Sequence, residues 1–489
     1  MAMNSFWRPI GIALIVFSSL LATTVPAAAV WDHAHGDGAN TGFARVDTAP
    51  AGKPQQVVQL GRLAPGAGPV IGPSGTLYVA NIDGKVLAFQ PDGSPAWNRI
   101  LPSGSGSFFA SPVVGADGSV YVASMRQARD HRNGTTFTRY DSTLHKFSGD
   151  GGVLWAVPLP VRPVDPPTAP ALAGWPAAVA PPSIWRSGST EVIVMPVLYK
   201  YPSAAELRVL AFSTQSGAVL GNALVNSKVF DVAGSVPELN IPFRYTSPHL
   251  GDPLHLSKEE WPMPGVAIAA DPGGGAPLVI ASDWLKRDTA AYRFDPASGF
   301  TEAWRVHDST RTRTSAPTDL PDRQVVALGA QEGDGRRGRM SFAGPQGPAH
   351  DRPLGSWVVS PPTRMADGRI ATIEFEGQMT VFRGGIVDRS FPLVGQSIAS
   401  AAASCTHVFV ASVGAFTTYN ANTLAQVAQV PWSGGGRASP VIGPAGHVYG
   451  VTHAADDTDS LFVWPPPQRT TAIGLVGTAC DRVIVRPQR

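Results

Sequence analysis

His33, His35 and Asp37 alternate along the chain, and this spacing could hold a metal ion. In an extended segment every second side chain points to the same side, so two imidazoles and a carboxylate would face one point. The competing interpretation is structural, because Asp and the nearby Asn40 also satisfy the backbone of turns. We favour the structural role and predict no metal site in the chain.

Two further motifs have the side chains of a calcium site or of a glycosidase. Residues 456–459 (Asp-Asp-Thr-Asp) resemble a loose Ca²⁺ loop but lack the regular oxygen spacing and the distal Glu of an EF-hand. Ser148-x-Asp150-x-Gly152-x-x-Trp155 matches most of an Asp-box, which stabilises a turn and in a single copy does not indicate glycosidase activity. Neither a His-Glu-x-x-His zinc motif nor a phosphate-binding loop occurs. The sequence therefore predicts no catalytic residues.

The first 29 residues have the composition of an export signal. Arg8 precedes an apolar run at residues 10–21, and residues 26–29 (Pro-Ala-Ala-Ala) suit signal peptidase, with cleavage after Ala29. A membrane anchor is the alternative, but the run is shorter than the roughly 20 residues needed to span a bilayer. We expect a periplasmic or secreted protein with no transmembrane span in the mature chain.

The two cysteines of the chain are Cys405 and Cys480. Exported proteins with two cysteines usually pair them. Against pairing, each cysteine precedes a similar apolar strand, at residues 408–410 and 483–485, and equal positions in separate repeat units would hold the Cα atoms beyond about 7 Å. We favour a disulfide between them and keep free thiols as the alternative.

Composition and charge exclude several classes of protein. The 52 Gly and 46 Pro among 489 residues forbid long helices, and a hydrophobic content of 43% is ample for a core. A net charge of +2 gives no electrostatic basis for binding nucleic acid. We therefore expect a globular protein, rich in turns, that does not bind nucleic acid.

Internal repeats decide the predicted architecture. Each copy has a short strand, a turn centred on Asp-Gly or its equivalent, and a strand rich in β-branched and aromatic residues. The copies begin at or near Gly68, Ser111, Pro176, Val266, Ser315, Ser360, Ala399 and Ser439. A further strand follows each copy and carries an aromatic residue at Phe89, Phe147, Phe212, Phe294, Phe342, Phe382, Tyr419 or Trp464.

These repeats predict an all-β protein. Four strands per unit without helical periodicity favour a single β-propeller with four-stranded antiparallel blades, eight in number, with seven as the alternative. Separate β-sandwich domains would need linkers and blocks of about a hundred residues, and the observed copies recur faster than that.

The repeats resemble those of pyrroloquinoline-quinone (PQQ) dehydrogenases and of their non-enzymatic relatives. The resemblance rests on the opening Ser-Pro, on the Asp-Gly-x-Val-Tyr-Val core at residues 117–122, and on the Trp after the next turn. Residues 31–42 resemble the lead-in segment of the same superfamily. The resemblance implies that residues 56–60 complete the last blade and meet residues 483–485, so that both ends of a single domain, residues 30–489, close the ring.

The resemblance leaves the activity open. In the dehydrogenases the quinone lies between a Trp and, in many members, a disulfide of adjacent cysteines, and a Ca²⁺ polarises its carbonyl. Here the two cysteines are far apart, no Cys-x-x-Cys-His haem site occurs, and we match no residue to the Ca²⁺ ligands or the catalytic Asp. We expect no cofactor, and keep a PQQ- or Ca²⁺-dependent oxidoreductase of an alcohol or sugar as the alternative.

Function is expected where the chain departs from its repeat, because loops carry function more often than strands. Three such stretches are residues 125–140, 226–261 and 308–351. The last is rich in Arg, but a similar number of acids predicts a salt-bridged face. The leading prediction is a non-enzymatic binding or scaffold protein of the bacterial envelope or exterior, whose partner is another envelope protein or an extracellular ligand.

Overall fold

A computed structural model describes residues 31–102, 105–132, 135–163, 173–178, 180–201, 204–229, 265–283, 288–308, 311–313, 315–320, 325–332, 337–467 and 480. Its strands form eight antiparallel sheets, which are the blades of one propeller. The predicted all-β class and the count of eight blades are confirmed.

The strands follow the chain in blade order. The first is β1 (Gln56–Gly61). Blade 1 contains β2 (Val70–Ile71), β3 (Leu77–Ala80), β4 (Lys85–Phe89) and β5 (Pro95–Ile100). Blade 2 contains β6 (Ser107–Phe108), β7 (Val113–Val114), β8 (Val120–Arg132), β9 (Thr135–Phe147) and β10 (Val153–Pro158). Blade 3 contains β11 (Arg162–Pro163), β12 (Ala173–Ala177), β13 (Ser183–Ser187), β14 (Thr190–Lys200), β15 (Ala204–Ser213) and β16 (Val219–Val229). Blade 4 contains β17 (Val266–Ala269), β18 (Leu278–Ser282), β19 (Asp288–Asp295) and β20 (Gly299–His307).

The second half of the ring has the same plan. Blade 5 contains β21 (Arg311–Arg313), β22 (Thr318–Leu320), β23 (Val325–Glu332), β24 (Gly338–Gly344) and β25 (Gly347–Pro353). Blade 6 contains β26 (Thr363–Arg364), β27 (Ile370–Glu374), β28 (Gln378–Arg383) and β29 (Ile386–Pro392). Blade 7 contains β30 (Ala402–Ala403), β31 (His407–Ser412), β32 (Ala415–Asn420) and β33 (Gln426–Pro431). Blade 8 contains β34 (Val441–Ile442), β35 (Val448–His453), β36 (Asp459–Trp464) and β1.

The N-terminal strand β1 forms the outer edge of blade 8. It pairs with β36 in a register that places Gln56 opposite Val463 and Val58 opposite Leu461. The first and last parts of the chain therefore share one sheet, which joins the two ends of the ring. Residues 483–485, the expected partner from the C-terminal side, lie outside the described residues.

The repeated aromatic residue is the structural signature of each blade. All eight predicted positions lie in the third strand counted from the axis, and each side chain is 5% exposed or less. One expected repeat start was misplaced. Pro181, and not Pro176, precedes the inner strand of blade 3, because Pro176 belongs to β12, an additional strand that pairs with the far end of β14.

The core lies between neighbouring blades rather than inside any one of them. Each buried cluster combines residues of adjacent sheets, as in the cluster that joins Ala327 and Phe342 of blade 5 to Ile370 and Phe382 of blade 6. Because every sheet buries both faces in this way, the ring protects the apolar surface of each blade.

Tryptophans in outer strands tie one blade to the next. The Trp97 indole donates to Gly149 O at 2.8 Å, in the turn of the next blade. Gly151 has a φ of +86°, and a Cβ there would lie 2.7 Å from the Trp97 ring. Both the backbone conformation and the close approach require glycine at position 151, the residue before the Gly152 of the Asp-box.

The propeller has two different faces. The turns from the first to the second strand and from the third to the fourth strand lie on one face, which we call the turn face; residues 115–119 and 148–152 are examples. The connections between blades and the hairpins between second and third strands lie on the other face, which we call the loop face. Of the stretches that departed from the repeat, residues 125–140 belong to the loop face and most of residues 308–351 to blade 5 itself, whereas residues 230–261 lie outside the described residues.

Candidate functional site

Residues 31–44 run around the axis of the propeller and contact the blades in order. In each of blades 1 to 7, one backbone N–H of the inner strand donates a hydrogen bond to an acceptor atom of this segment. The donors are Ile71, Val114, Ile184, Ile268, Asp319, Arg364 and Ala403, and their acceptors are Trp31 O, Asp32 O, His33 Nε2, Gly38 O, Ala39 O, Thr41 O and Gly42 O. We call residues 31–44 the lead-in ring. β1 then completes blade 8, so the N-terminal part of the chain contacts every blade.

His33 takes the place of a carbonyl in this ring. Its Nε2 accepts the Ile184 N–H at 2.9 Å, and its Nδ1 lies 2.5 Å from Asp32 Oδ1. Asp32 also bonds Arg186 at 2.9 Å. Burial would raise the pKa of Asp32, but the charges and hydrogen bonds of His33 and Arg186 outweigh it and hold that pKa below its ordinary value.

The three candidate metal ligands therefore have separate environments. Asp37 Oδ1 accepts the Thr41 N–H at 3.0 Å and its Oδ2 accepts the Thr41 hydroxyl at 2.8 Å, so that this carboxylate organises a turn. Asn40 donates to Val266 O at 3.0 Å and to Pro317 O at 2.9 Å, and so joins blades 4 and 5. Among the described residues, no three His, Cys, Asp or Glu side chains converge as a metal site would require.

His35 points into a cavity on the axis. The cavity has a volume of about 50 Å³, and each blade contributes at least one residue to its wall. The wall consists of His35, Gly66, Ala67, Ala110, Ser111, Pro181, Gly265, Ala316, Val359, Ser360, Pro361, Ile398 and Ser439. Burial lowers the pKa of His35 to about 4, so its imidazole is neutral at neutral pH. Nδ1 of His35 is buried without a hydrogen-bond partner.

The lead-in ring lies at the turn-face end of this cavity. In blades 2 and 4, for example, Ser111 and Gly265 line the cavity, and Val114 and Ile268, further along the same inner strands, contact the ring. All inner strands of a propeller run in one direction along the axis, so the lining residues lie nearer the loop face. A ligand would therefore enter from the loop face.

The repeated Ser-Pro of the sequence supplies three serines of the wall. Ser111 Oγ accepts the Gly68 N–H at 2.8 Å, and Ser439 Oγ accepts the Ser400 N–H at 3.0 Å, in each case from the preceding blade. Ser360 has the same place in blade 6, yet its hydroxyl has no hydrogen bond to the described residues. In the sequence these serines are recognisable only as markers of the repeat, and their common phase was the signal that they share one ring around the axis.

A long hairpin rises from the loop face on blade 2. β8 and β9 pair over thirteen residues each, from Val120↔Phe147 out to Arg132↔Thr135, whereas β31 and β32 of blade 7 have six residues each. At about 3.3 Å per residue, the seven residues after Met125 project roughly 23 Å. At its base Met125 and Tyr140 are each 1% exposed, so this part of the hairpin is packed.

Polar and aromatic contacts brace this hairpin against blade 3. Arg126 and Arg139 both bond Asp141 Oδ2, at 2.8 and 2.9 Å, and the Arg139 guanidinium lies 5.5 Å from the Trp175 ring centroid. Ser142 Oγ donates to Pro176 O at 2.8 Å. The hairpin is thus a supported wall over blades 2 and 3. Residues 230–261, which are all but the first four residues of the second irregular stretch, lie outside the described residues.

The remaining candidate motifs have structural partners. In the segment proposed as a Ca²⁺ loop, Asp456 caps the Thr458 N–H, Asp457 lies 3.3 Å from His453 Nε2, and Asp459 accepts the Leu63 N–H at 2.7 Å. The Asp-box serine accepts the Gly152 N–H at 2.9 Å and closes its turn.

A buried polar cluster in blade 8 gave no sequence motif. His453 lies 2.9 Å from Arg437 Nη1 and 3.2 Å from Asp459 Oδ1, and all three side chains are buried. The cluster joins β35 and β36 to residues 435–437. The residues come from separate strands, which is why no local pattern marked them.

Cys405 and Cys480 form a disulfide, with their Cα atoms 5.0 Å apart. This is the pairing that the sequence favoured, and the objection to it, a separation beyond bridging distance, does not hold. β1, from the N-terminus, occupies the outer place in blade 8, so Cys480 does not follow the repeat and lies outside the eight sheets. The Cys405 N–H donates to Val46 O at 2.9 Å, which places the disulfide next to the segment that continues the lead-in ring.

Comparison with known proteins identifies the fold. No family model matches the chain and no curated protein matches it. A quinohemoprotein alcohol dehydrogenase of Pseudomonas putida HK5 is 12% identical, with a TM-score of 0.53, over 89% of this chain and 80% of that one. Sqt1 of Saccharomyces cerevisiae is 11% identical, with a TM-score of 0.50, over 84% of this chain and 98% of that one. BamB of Moraxella catarrhalis is 13% identical, with a TM-score of 0.49, over 84% of this chain and 100% of that one. The chain has the PQQ-like β-propeller fold, and identities this low establish the fold alone.

The described wall of the axial cavity does not fit a quinone with Ca²⁺. Pockets for cofactor-sized ligands have volumes of roughly 300–1,000 Å³, against about 50 Å³ here. Ca²⁺ takes six to eight oxygen ligands, mostly carboxylates and carbonyls, and no acidic side chain is among the described lining residues. We derive no reaction step through such a group.

Proposed function

We propose that the chain is an exported, non-enzymatic binding or scaffold protein that holds a macromolecular partner on the loop face of blades 2 and 3. The observation that carries this proposal is the hairpin β8–β9, which is braced at its base and projects far beyond a normal blade. A hairpin that is already paired along its length and packed at its base reduces the ordering cost of binding, which favours a docking role.

The difference between the faces supports the same proposal. Where the structure describes them, the turns of the turn face are short and capped by their own side chains, as Asp117 caps the Ser119 N–H at 2.8 Å. The extra strands of blades 2, 3 and 5 extend toward the loop face. We infer that the partner is another envelope protein or an extracellular ligand.

Export is proposed together with this role. Disulfides persist in oxidising compartments, so the bond between Cys405 and Cys480 favours the periplasm or the exterior. Among the described residues, no helix is long and apolar enough to cross a bilayer. Amino-terminal sequencing of the protein from its native cells should find Val30 as the first residue. A first residue upstream of the apolar run would contradict cleavage.

Site-specific photo-crosslinking tests the docking face. A benzophenone residue at Gln127, exposed on the hairpin, should give a discrete crosslinked species in intact cells, and one at Ala297, exposed on the turn face, should not. Replacing residues 129–138 with Asn-Gly shortens the hairpin at the Ala128↔Arg139 pair and keeps its packed base. The shortened protein should fold but lose the species. Equal crosslinking from both faces would contradict the proposal.

A further inference from the structure

The axial cavity presents hydrogen-bond donors that no protein group uses. Ser360 is 5% exposed, lines the cavity and has no hydrogen bond to any described residue. Ser111 and Ser439 use their oxygens as acceptors, and neither hydroxyl proton has an acceptor among the described residues. Buried hydroxyl groups normally have a partner, so the Ser360 hydroxyl, which has none among the described residues, indicates a missing partner in the cavity.

His35 adds a fourth donor. Its Nδ1 is buried with no partner, and its other ring nitrogen has no hydrogen bond to the described residues. A buried N–H without an acceptor is rarer than a buried lone pair without a donor, which places the single proton of the neutral ring on Nε2. The residue lines the cavity, so a ligand in the cavity could accept a hydrogen bond from this N–H.

We propose that the axial cavity binds one carboxylate group, which enters from the loop face. A carboxylate only accepts hydrogen bonds, so a wall whose unpaired polar groups include the Ser360 hydroxyl and the His35 ring suits it. No acidic side chain among the described lining residues would repel it. A volume of about 50 Å³ suits a group of formate size or the end of a chain.

Formate is the probe that tests the site. In a buffer whose only other anion is a bulky sulfonate, ligand-observed NMR of formate should show saturable binding to the full chain. The Ser360→Ala variant should bind formate about tenfold more weakly, because hydrogen bonds to a charged group are the strong ones. The His35→Phe variant should weaken binding similarly, with the ring shape retained.

Ser315 supplies a matched control. It lies in the same region of the repeat in blade 5 but does not line the cavity, and its hydroxyl accepts the Gly329 N–H at 2.7 Å. The Ser315→Ala variant should be less stable and bind formate as the wild type does. Absence of saturable binding to the wild type, or equal weakening by Ser315→Ala and Ser360→Ala, would overturn the site.

Two sources of carboxylate are distinguishable. If a polypeptide terminus is the ligand, Gly-Gly-Ala with a free carboxyl end should compete with formate and its amidated form should not. If the ligand is a free small carboxylate, formate should bind and neither peptide should compete. Shortening the hairpin of blade 2 should leave formate binding unchanged. A negative result for the carboxylate site would therefore not contradict the docking face, and a negative result for the docking face would not contradict the site.

Discussion

The two ends of the axial channel are built differently. At the turn-face end, the lead-in ring gives each of seven blades an acceptor, and its polar side chains Asp32, His33, Asp37 and Asn40 all have partners. Between that ring and the loop face, a part of the channel that we call the open end, the wall is made of small residues. Ser360 of this wall and His35, which lines it from the ring, lack partners among the described residues. Satisfied polar groups indicate a structural role, and unsatisfied ones next to a cavity indicate a ligand.

The contrast is clearest between two histidines of one segment. His33 and His35 are two residues apart, yet both nitrogens of His33 are engaged and neither nitrogen of His35 is. The metal hypothesis treated them as equivalent. Their roles differ because residues 33–36 form a tight turn, in which the His33 and Gly36 backbones exchange two hydrogen bonds of 3.2 Å. The two histidines therefore do not lie on one side of an extended strand.

The largest expected effect concerns the disulfide beside the turn-face end of the channel, which we call the closed end because the lead-in ring lies there. A Cys405→Ser/Cys480→Ser variant should lose about 4 kcal/mol of unfolding free energy, because the bond closes a segment of 75 residues. Guanidinium unfolding measures the loss, and the wild type in reductant should match the variant. Equal unfolding midpoints for the variant and the oxidised wild type would show that the disulfide to Cys480 does not stabilise this end.

The Asp32→Ala variant should have the next largest effect. It removes the partner of His33 Nδ1 and one partner of Arg186, so a buried imidazole loses its acceptor. We expect a loss of about 3 kcal/mol in urea unfolding. The Lys53→Ala variant, at an exposed position, should change stability by no more than about 0.5 kcal/mol. A similar small change for Asp32→Ala would contradict a structural role for the closed end.

The pH dependence of stability separates the two ends. Burial, with the nearby charge of Asp37, raises the pKa of Asp319 at the closed end to about 6. The folded protein then holds a proton that the unfolded chain releases near pH 3.8, so this contribution to stability is lost as pH rises from about 4 to 6. The Asp319→Asn variant should be more stable than wild type at pH 7, by on the order of 2 kcal/mol, and equal to it near pH 4.

His35, which lines the open end from the lead-in ring, should act in the opposite direction. Because burial lowers its pKa from 6.5 to about 4, the unfolded chain takes up the proton first and stability falls as pH falls through that window. The His35→Phe variant should lose this acid sensitivity while keeping the Asp319 effect. Identical pH–stability profiles for the two variants, measured by urea unfolding from pH 4 to 7, would show that the two ends do not differ in this way.

The fold was predictable from the sequence because its signals are local and repeated. An aromatic residue in the third strand and Gly in the next turn occupy the same place in blade after blade. The strands that carry Phe89 and Phe147 can therefore be recognised as equivalent from the sequence. Blade 5 was harder to predict, because its strands carry the Arg-rich stretch and Phe342 is the aromatic residue that marks its third strand.

The candidate site was not predictable in the same way. His35 and Ser360 are 325 positions apart in sequence and lie on one cavity only because the lead-in ring circles the axis. The cluster of Arg437, His453 and Asp459 depends likewise on strand register. The Ser-Pro of the repeat indicated which serines share a phase, but whether each hydroxyl is paired depends on its neighbouring blade.

The smallest predicted effect distinguishes Ser360, which has no described partner, from Ser111 and Ser439, which accept hydrogen bonds. The Ser111→Ala and Ser439→Ala variants each leave a buried N–H of the preceding blade, Gly68 or Ser400, without its acceptor, and each should lose about 1 kcal/mol. The Ser360→Ala variant removes a hydroxyl with no described partner, so its urea unfolding should match wild type within about 0.5 kcal/mol. If Ser360→Ala were as destabilising as Ser111→Ala, the hydroxyl would hold the ring together as the others do. The open end would then be structural, and only the hairpin would distinguish the loop face.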